Sequence, residues 1–96
     1  MKPSEALRFH REEIRRVVEQ NHARNPRVFG SVLYGKDTEQ SDLDLLVDPT
    51  DDTTLMHIAR IQNRLQNILG VSVDVLTPKA LPAHFRERVL AEARPV

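Results

Sequence analysis

The stretch Phe29–Asp48, FGSVLYGKDTEQSDLDLLVD, decides how the rest of the chain is read. A Gly-Ser pair at Gly30 and Ser31 is followed, after ten intervening residues, by Asp42-Leu43-Asp44 at the head of the apolar run LDLLVD. Alternation along an extended run puts Leu43, Leu45 and Val47 on one side and Asp42, Asp44, Leu46 and Asp48 on the other. Neighbouring carboxylates on one side of an apolar strand repel each other and lose solvent, so a positive charge is needed to keep both ionised. Alternate strand residues are about 6.6 to 7 Å apart, close enough for both side chains to reach one hard cation, or two ions about 3.5 to 4 Å apart. Mg2+ fits, as one or two ions, because it takes one or two protein carboxylates and fills its octahedron with water and phosphate oxygens.

The Gly-Ser pair supplies the complementary half. Gly30 follows a short strand candidate, RVF, and a glycine there lets the backbone approach a phosphate closely. A short helix starting at Ser31 would aim its free amides at that phosphate, with the Ser31 hydroxyl as a further donor. Lys36 stands one turn on and is a candidate point charge for the same phosphates. A third acid, Asp74, lies in the alternating run VSVDVLTP and would sit beside Asp44 in a three-stranded sheet. A third carboxylate near the metal suits a general base for an attacking hydroxyl in nucleotidyl transfer. Each feature alone is ordinary, since strand acids usually face solvent and Gly-Ser is a common turn. Together, Gly-Ser and Asp-x-Asp at one fixed spacing arise by chance in about one chain in a thousand of this length.

Working outward, Pro3 to about Asn21 reads as one helix with Leu7, Ile14, Val17 and Val18 on its apolar face and Ser4 as its N-cap, ended by Asn25-Pro26. Pro49 stops the LDLLVD strand, and TDDTT offers caps to a helix with Leu55, Ile58, Ile61, Leu65, Ile68 and Leu69 in a 3-4 rhythm, closed by Gly70. The next strand buries Val71, Val73 and Val75 and ends at Pro78. A last helix starts near Pro82, with Leu81, Phe85 and Val89 as a narrow stripe. The expected architecture is α+β: a single domain over residues 1–96, with a small mixed three-stranded sheet, room for a fourth strand, and helices packed mainly on one face.

Composition narrows the function. Fourteen basic residues balance fourteen acidic ones, which argues against a protein that holds nucleic acid mainly by neutralising phosphates. There is no cysteine, so thiolate nucleophiles and cysteine metal sites are excluded. No apolar leader or membrane-spanning run is present, and the expected location is the cytoplasm. His10, His22, His57 and His84 are scattered without ligand spacing and read as surface residues; the pairs Arg11/Arg15 and Arg60/Arg64 read as solvated helix faces.

The residues quoted above carry a resemblance. Gly30-Ser31, the ten residues VLYGKDTEQS, Asp42-Leu43-Asp44 and the later VDVL at Asp74 resemble the minimal nucleotidyltransferase domains of the polymerase-beta superfamily, over nearly the whole chain. The resemblance implies a nucleotidyltransferase fold, Mg2+ held by Asp42, Asp44 and Asp74, and the ATP phosphates held at Gly30 and Ser31. It further implies an antitoxin whose partner is a helical HEPN-type toxin, silenced by transfer of AMP from ATP to a tyrosine hydroxyl. One departure stands out: many relatives carry arginines after the Gly-Ser, whereas this chain has Val32, Leu33 and Tyr34. The competing reading is therefore a binding module that masks its partner by docking. A polymerase-like activity ranks third, for want of chain to build a template channel. A second copy of the chain is a further candidate partner.

Overall fold

The computed structural model describes residues 1–96. In chain order the elements are α1 (Pro3–Phe9), α2 (Arg11–Gln20), β1 (Ala23–Phe29), β2 (Leu43–Pro49), α3 (Leu55–Leu69), β3 (Val73–Leu76), a single 3-10 turn at Pro78–Ala80, α4 (Ala83–Glu92) and β4 (Arg94–Pro95). The sheet order is β3-β2-β1-β4; β1 is antiparallel to both β2 and β4, and β2 and β3 are parallel. Parallel neighbours need a crossover, which α3 provides. The expected mixed sheet is present, and its fourth strand is the short β4, paired with Arg27 and Val28.

The N-terminal region is two helices rather than one. His10 leaves helical geometry (φ −122°, ψ 24°), and its imidazole pairs with Glu13 at 2.5 Å. Ala6 and Leu7 of α1 and Ile14, Val17 and Val18 of α2 are buried in the same core. Ser4 is not the N-cap: the helix starts at Pro3, whose missing amide suits the first turn, and the Ser4 amide donates to Asp37 at 2.9 Å. A carboxylate from the loop after the Gly-Ser turn thus does the capping. Asn25-Pro26 likewise lies inside a strand, not at a helix end. β1 begins at Ala23, and its register shifts between Arg24 and Arg27, with Asn25 at φ 53°. A bulge is where a strand tolerates proline.

One sheet face carries Leu43, Leu45, Val47, Val73 and Val75 against Ile14, Val18, Ile61 and Leu65, forming the main core. Gly70 closes α3 in the left-handed conformation (φ 70°). Leu55, expected on the apolar face, is 88% exposed at the first position of α3. On the outer edge, Gln66 and Gln62 of α3 accept the amides of Val73 and Val75, both at 3.1 Å, tying β3 and its Asp74 to the helix and blunting the free edge.

The opposite face is only half covered. Leu46, expected to share the exposed side with the aspartates, is fully buried with Phe29 and Leu81, against which Phe85 and Val89 of α4 pack. The stripe read from Leu81, Phe85 and Val89 therefore covers the Leu46 end of this face, while the Asp44 end lies beyond that cluster. Leu46→Ala is expected to cost about 2 to 5 kcal/mol, by cavity formation beneath α4, in a urea titration monitored by circular dichroism.

Candidate functional site

Asp44 and Asp74 are direct register partners on the parallel strands β2 and β3, so their side chains leave the same face of the sheet. Asp42, two residues before Asp44, stands immediately before β2 on that side. Asp42 and Asp74 are exposed and Asp44 is half-buried. Burial, followed by the charges of Asp74 and Asp42, pushes the Asp44 carboxyl up to about 6. None of the three takes part in an ion pair, so the repulsion is uncompensated from within the chain. As the side chains stand, no three acidic or imidazole groups close on a single point. Two carboxylates suffice for Mg2+, whose other positions go to water and phosphate, so this donor set fits a phosphate-bound magnesium rather than a closed protein cage.

The Gly-Ser turn meets these acids directly. A Cβ on Gly30 would lie 2.2 Å from Asp44 Oδ2, and Gly30 has φ +73°, so both the close approach and the backbone conformation require glycine. The short helix expected at Ser31 does not form. Instead the chain makes successive turns, in which Tyr34 donates to Gly30 at 3.4 Å, Gly35 to Val32 at 3.2 Å and Lys36 to Ser31 at 2.9 Å. The amides of Ser31, Val32 and Leu33 make no backbone hydrogen bond. Three successive free amides beside a carboxylate pair give an anion cradle without a helix.

Around the turn, the sequence-derived candidates separate. Gly30 opens on a cleft of about 520 Å³, walled by Phe29, Leu33 and Tyr34 on one side and by His84, Phe85, Arg88 and Glu92 of α4 on the other. Lys36 is exposed and is not among the cleft's lining residues. The Tyr34 hydroxyl donates to Glu92, whose carboxylate also lies 3.5 Å from the Arg88 guanidinium. Tyr34, then Glu92, raises the Arg88 pKa above its ordinary value, so this guanidinium stays charged. Sequence reading missed Arg88 and Glu92. The available signal was their i, i+4 spacing, with His84 a further turn back, beside the Phe85/Val89 stripe.

Asp37, buried at the far end of the turn, anchors the segment to α1. Burial alone would raise its carboxyl, but hydrogen bonds from Ser4 and the charge of Lys2 outweigh this and lower it. The histidines are less scattered than their sequence positions suggest. The His22 and His57 rings lie 4.5 Å apart, and His22 pairs with Asp52 at 2.9 Å, while His57 closes the α3 N-terminus by accepting the Thr54 amide. No helix is long and apolar enough to cross a membrane.

Known proteins resemble this chain in sequence and fold. The family model for the nucleotidyltransferase domain matches residues 11–96. The chain is 33% identical over 86 residues to the protein adenylyltransferase MntA of Thermococcus cleftensis, covering 90% of this chain and 84% of that one. It is 35% identical over 66 residues to a provisionally named protein adenylyltransferase of Methanocaldococcus jannaschii, covering 69% and 71%. A solved structure provisionally named a minimal nucleotidyltransferase superposes with TM-score 0.86 at 42% identity, covering 97% of this chain and 95% of that one. A crystal structure of the MntA-HepT toxin-antitoxin shares the fold, with TM-score 0.67 at 16% identity and coverage of 92% and 69%. With the family model matching residues 11–96 and a relative 33% identical over 90% of the chain, the chain belongs to the nucleotidyltransferase domain family.

Proposed function

We propose that this protein is a magnesium-dependent protein adenylyltransferase that moves AMP from ATP onto a tyrosine hydroxyl of a HEPN-type toxin, silencing it. The observation that carries this reading is the contact of Gly30 with Asp44, which joins the free amides of the Gly-Ser turn to the Asp44–Asp74 pair. The names of the relatives and the toxin-antitoxin neighbours support it.

In the reaction, the acceptor oxygen attacks the α-phosphorus of ATP, the bond from that phosphorus to the bridging oxygen breaks, and pyrophosphate leaves. The amides of Ser31, Val32 and Leu33 and the Ser31 hydroxyl hold phosphate oxygens. Asp42, Asp44 and Asp74 would hold Mg2+, which when bound offsets phosphate charge and eases ionisation of the hydroxyl. Asp74, exposed at the edge of the site, takes the acceptor proton. The half-buried Asp44 keeps the carboxylate pair pressed against the turn.

The experiment is toxin neutralisation in cells. A variant carrying Asp42→Asn, Asp44→Asn and Asp74→Asn is expected to lose protection while still folding. Full protection by this variant would instead establish neutralisation by docking alone.

A further inference from the structure

The turn that holds the phosphates carries no arginine, since Val32, Leu33 and Tyr34 follow Gly30-Ser31. A triphosphate brings several negative charges to this turn, and the free amides answer only part of that charge. The nearest cation in sequence, Lys36, does not line the cleft onto which Gly30 opens. Arg88 does, and it arrives from α4, across the cleft from the turn. A guanidinium is the side chain best suited to grip phosphate oxygens in pairs.

We infer that Arg88 is a phosphate-binding residue, gripping the β- and γ-phosphates of the nucleotide from the α4 side of the cleft, and that Glu92, itself held by Tyr34, keeps it ready. The inference rests on the reading of ATP as substrate. The Arg88 side chain is 70% exposed and its carboxylate partner Glu92 is 40% exposed, at a separation of 3.5 Å. A solvated pair of this kind is worth at most about 1 kcal/mol, so it yields readily to a multiply charged ligand. Tyr34, donating to Glu92, ties the carboxylate that pairs with Arg88 to the turn side of the cleft. The positive charge absent from the turn is supplied by a helix about fifty residues later in the chain, and Tyr34 marks the place where the two meet.

The arrangement predicts effects of opposite sign for two neighbours on one helix. AMP-PNP and AMP are titrated calorimetrically, with magnesium, into the wild type, Arg88→Ala, Arg88→Lys and Glu92→Gln. Arg88→Ala is expected to weaken AMP-PNP about tenfold or more and to leave AMP, which lacks the outer phosphates, unchanged. Arg88→Lys restores part of the loss. Glu92→Gln, which removes the competing carboxylate, tightens AMP-PNP by a few fold. In a transfer assay Arg88→Ala raises KM for ATP more than it lowers kcat. A purely structural role for the Arg88–Glu92 pair would weaken both variants alike and AMP along with AMP-PNP, and that result overturns the inference. Equal AMP-PNP affinity for the wild type and Arg88→Ala also overturns it, leaving the nucleotidyltransferase reading intact. If the wild type binds neither nucleotide, both fall together.

Discussion

Asp44→Asn is expected to lower AMP transfer by about a thousandfold or more while making the metal-free protein more stable at neutral pH. Both effects have one cause. Asp44 is half-buried beside Asp74 and Asp42 with no cation of the chain near it, and its carboxyl is raised from 3.8 to about 6. Below pH 3.8 the group is protonated in the folded and unfolded chains, and ionisation costs the fold nothing. Between 3.8 and about 6 the folded state binds the proton more tightly, so stability falls as pH rises through that window and stays lower above it. Asparagine cannot ionise and escapes the loss. With solvent screening at this partly exposed position allowed for, the gain at pH 7.5 in EDTA is about 1 kcal/mol, or ~4 to 8 °C in melting temperature for a domain of this size. At pH 4 most of it disappears. Calorimetric melts at the two pH values check this, and equal melting temperatures for variant and wild type at both would contradict it. Saturating magnesium and nucleotide reverse the order, because only the wild type gains their binding energy in full.

Gly30→Ala is expected to be the most damaging single methyl addition to the site. The new Cβ would stand 2.2 Å from Asp44 Oδ2, and the residue would be held at φ +73°, where alanine is strained. Left-handed geometry alone costs about 1 to 2 kcal/mol. Moving the carboxylate off the turn separates the phosphate cradle from the metal-binding pair, and a displacement of about 1 Å at a reacting centre can cost a hundredfold in rate. The expected result is a transfer rate lower by about two orders of magnitude and a stability loss of about 1 to 3 kcal/mol. A double-mutant cycle separates the two causes: in an Asp44→Ala background the steric part of the stability loss vanishes and the backbone part remains. An undiminished loss in that background would mean that the two residues do not touch as described.

The carboxylate-bearing face was legible in the sequence because two short-range rules placed it. Alternation put Asp42 and Asp44 on one side of β2, and the lone Asp74 in an alternating strand fell into register with Asp44. Gly70 and the Leu81, Phe85 and Val89 stripe were legible for the same reason, being local signals of a cap and a helix face. Tertiary partners decided what the sequence left open. Leu46 alternates with the aspartates yet is buried, because α4 returns across that end of the sheet. Ser4 has the chemistry of a cap, but Asp37, more than thirty residues away, takes that role once Pro3 has started the helix. Asn25-Pro26 carries the signal of a break and is accommodated by a bulge in β1. The helix expected at Ser31 is replaced by turns that keep the same amides free. The i, i+4 spacing of Arg88 and Glu92 read only as a helix surface pair, and it took the fold to set them in the cleft opposite Tyr34.

The central claim is that the Asp42, Asp44 and Asp74 carboxylates and the Gly30-Ser31 turn form one centre for AMP transfer. Its most direct test is incubation with magnesium, ATP labelled at the α-phosphate and a HEPN-type toxin, comparing the wild type with Asp44→Asn. The account predicts label on a toxin tyrosine with equimolar pyrophosphate release for the wild type, and neither for the variant. Equal labelling by both proteins, or toxin neutralised by the wild type with no label transferred, would contradict it.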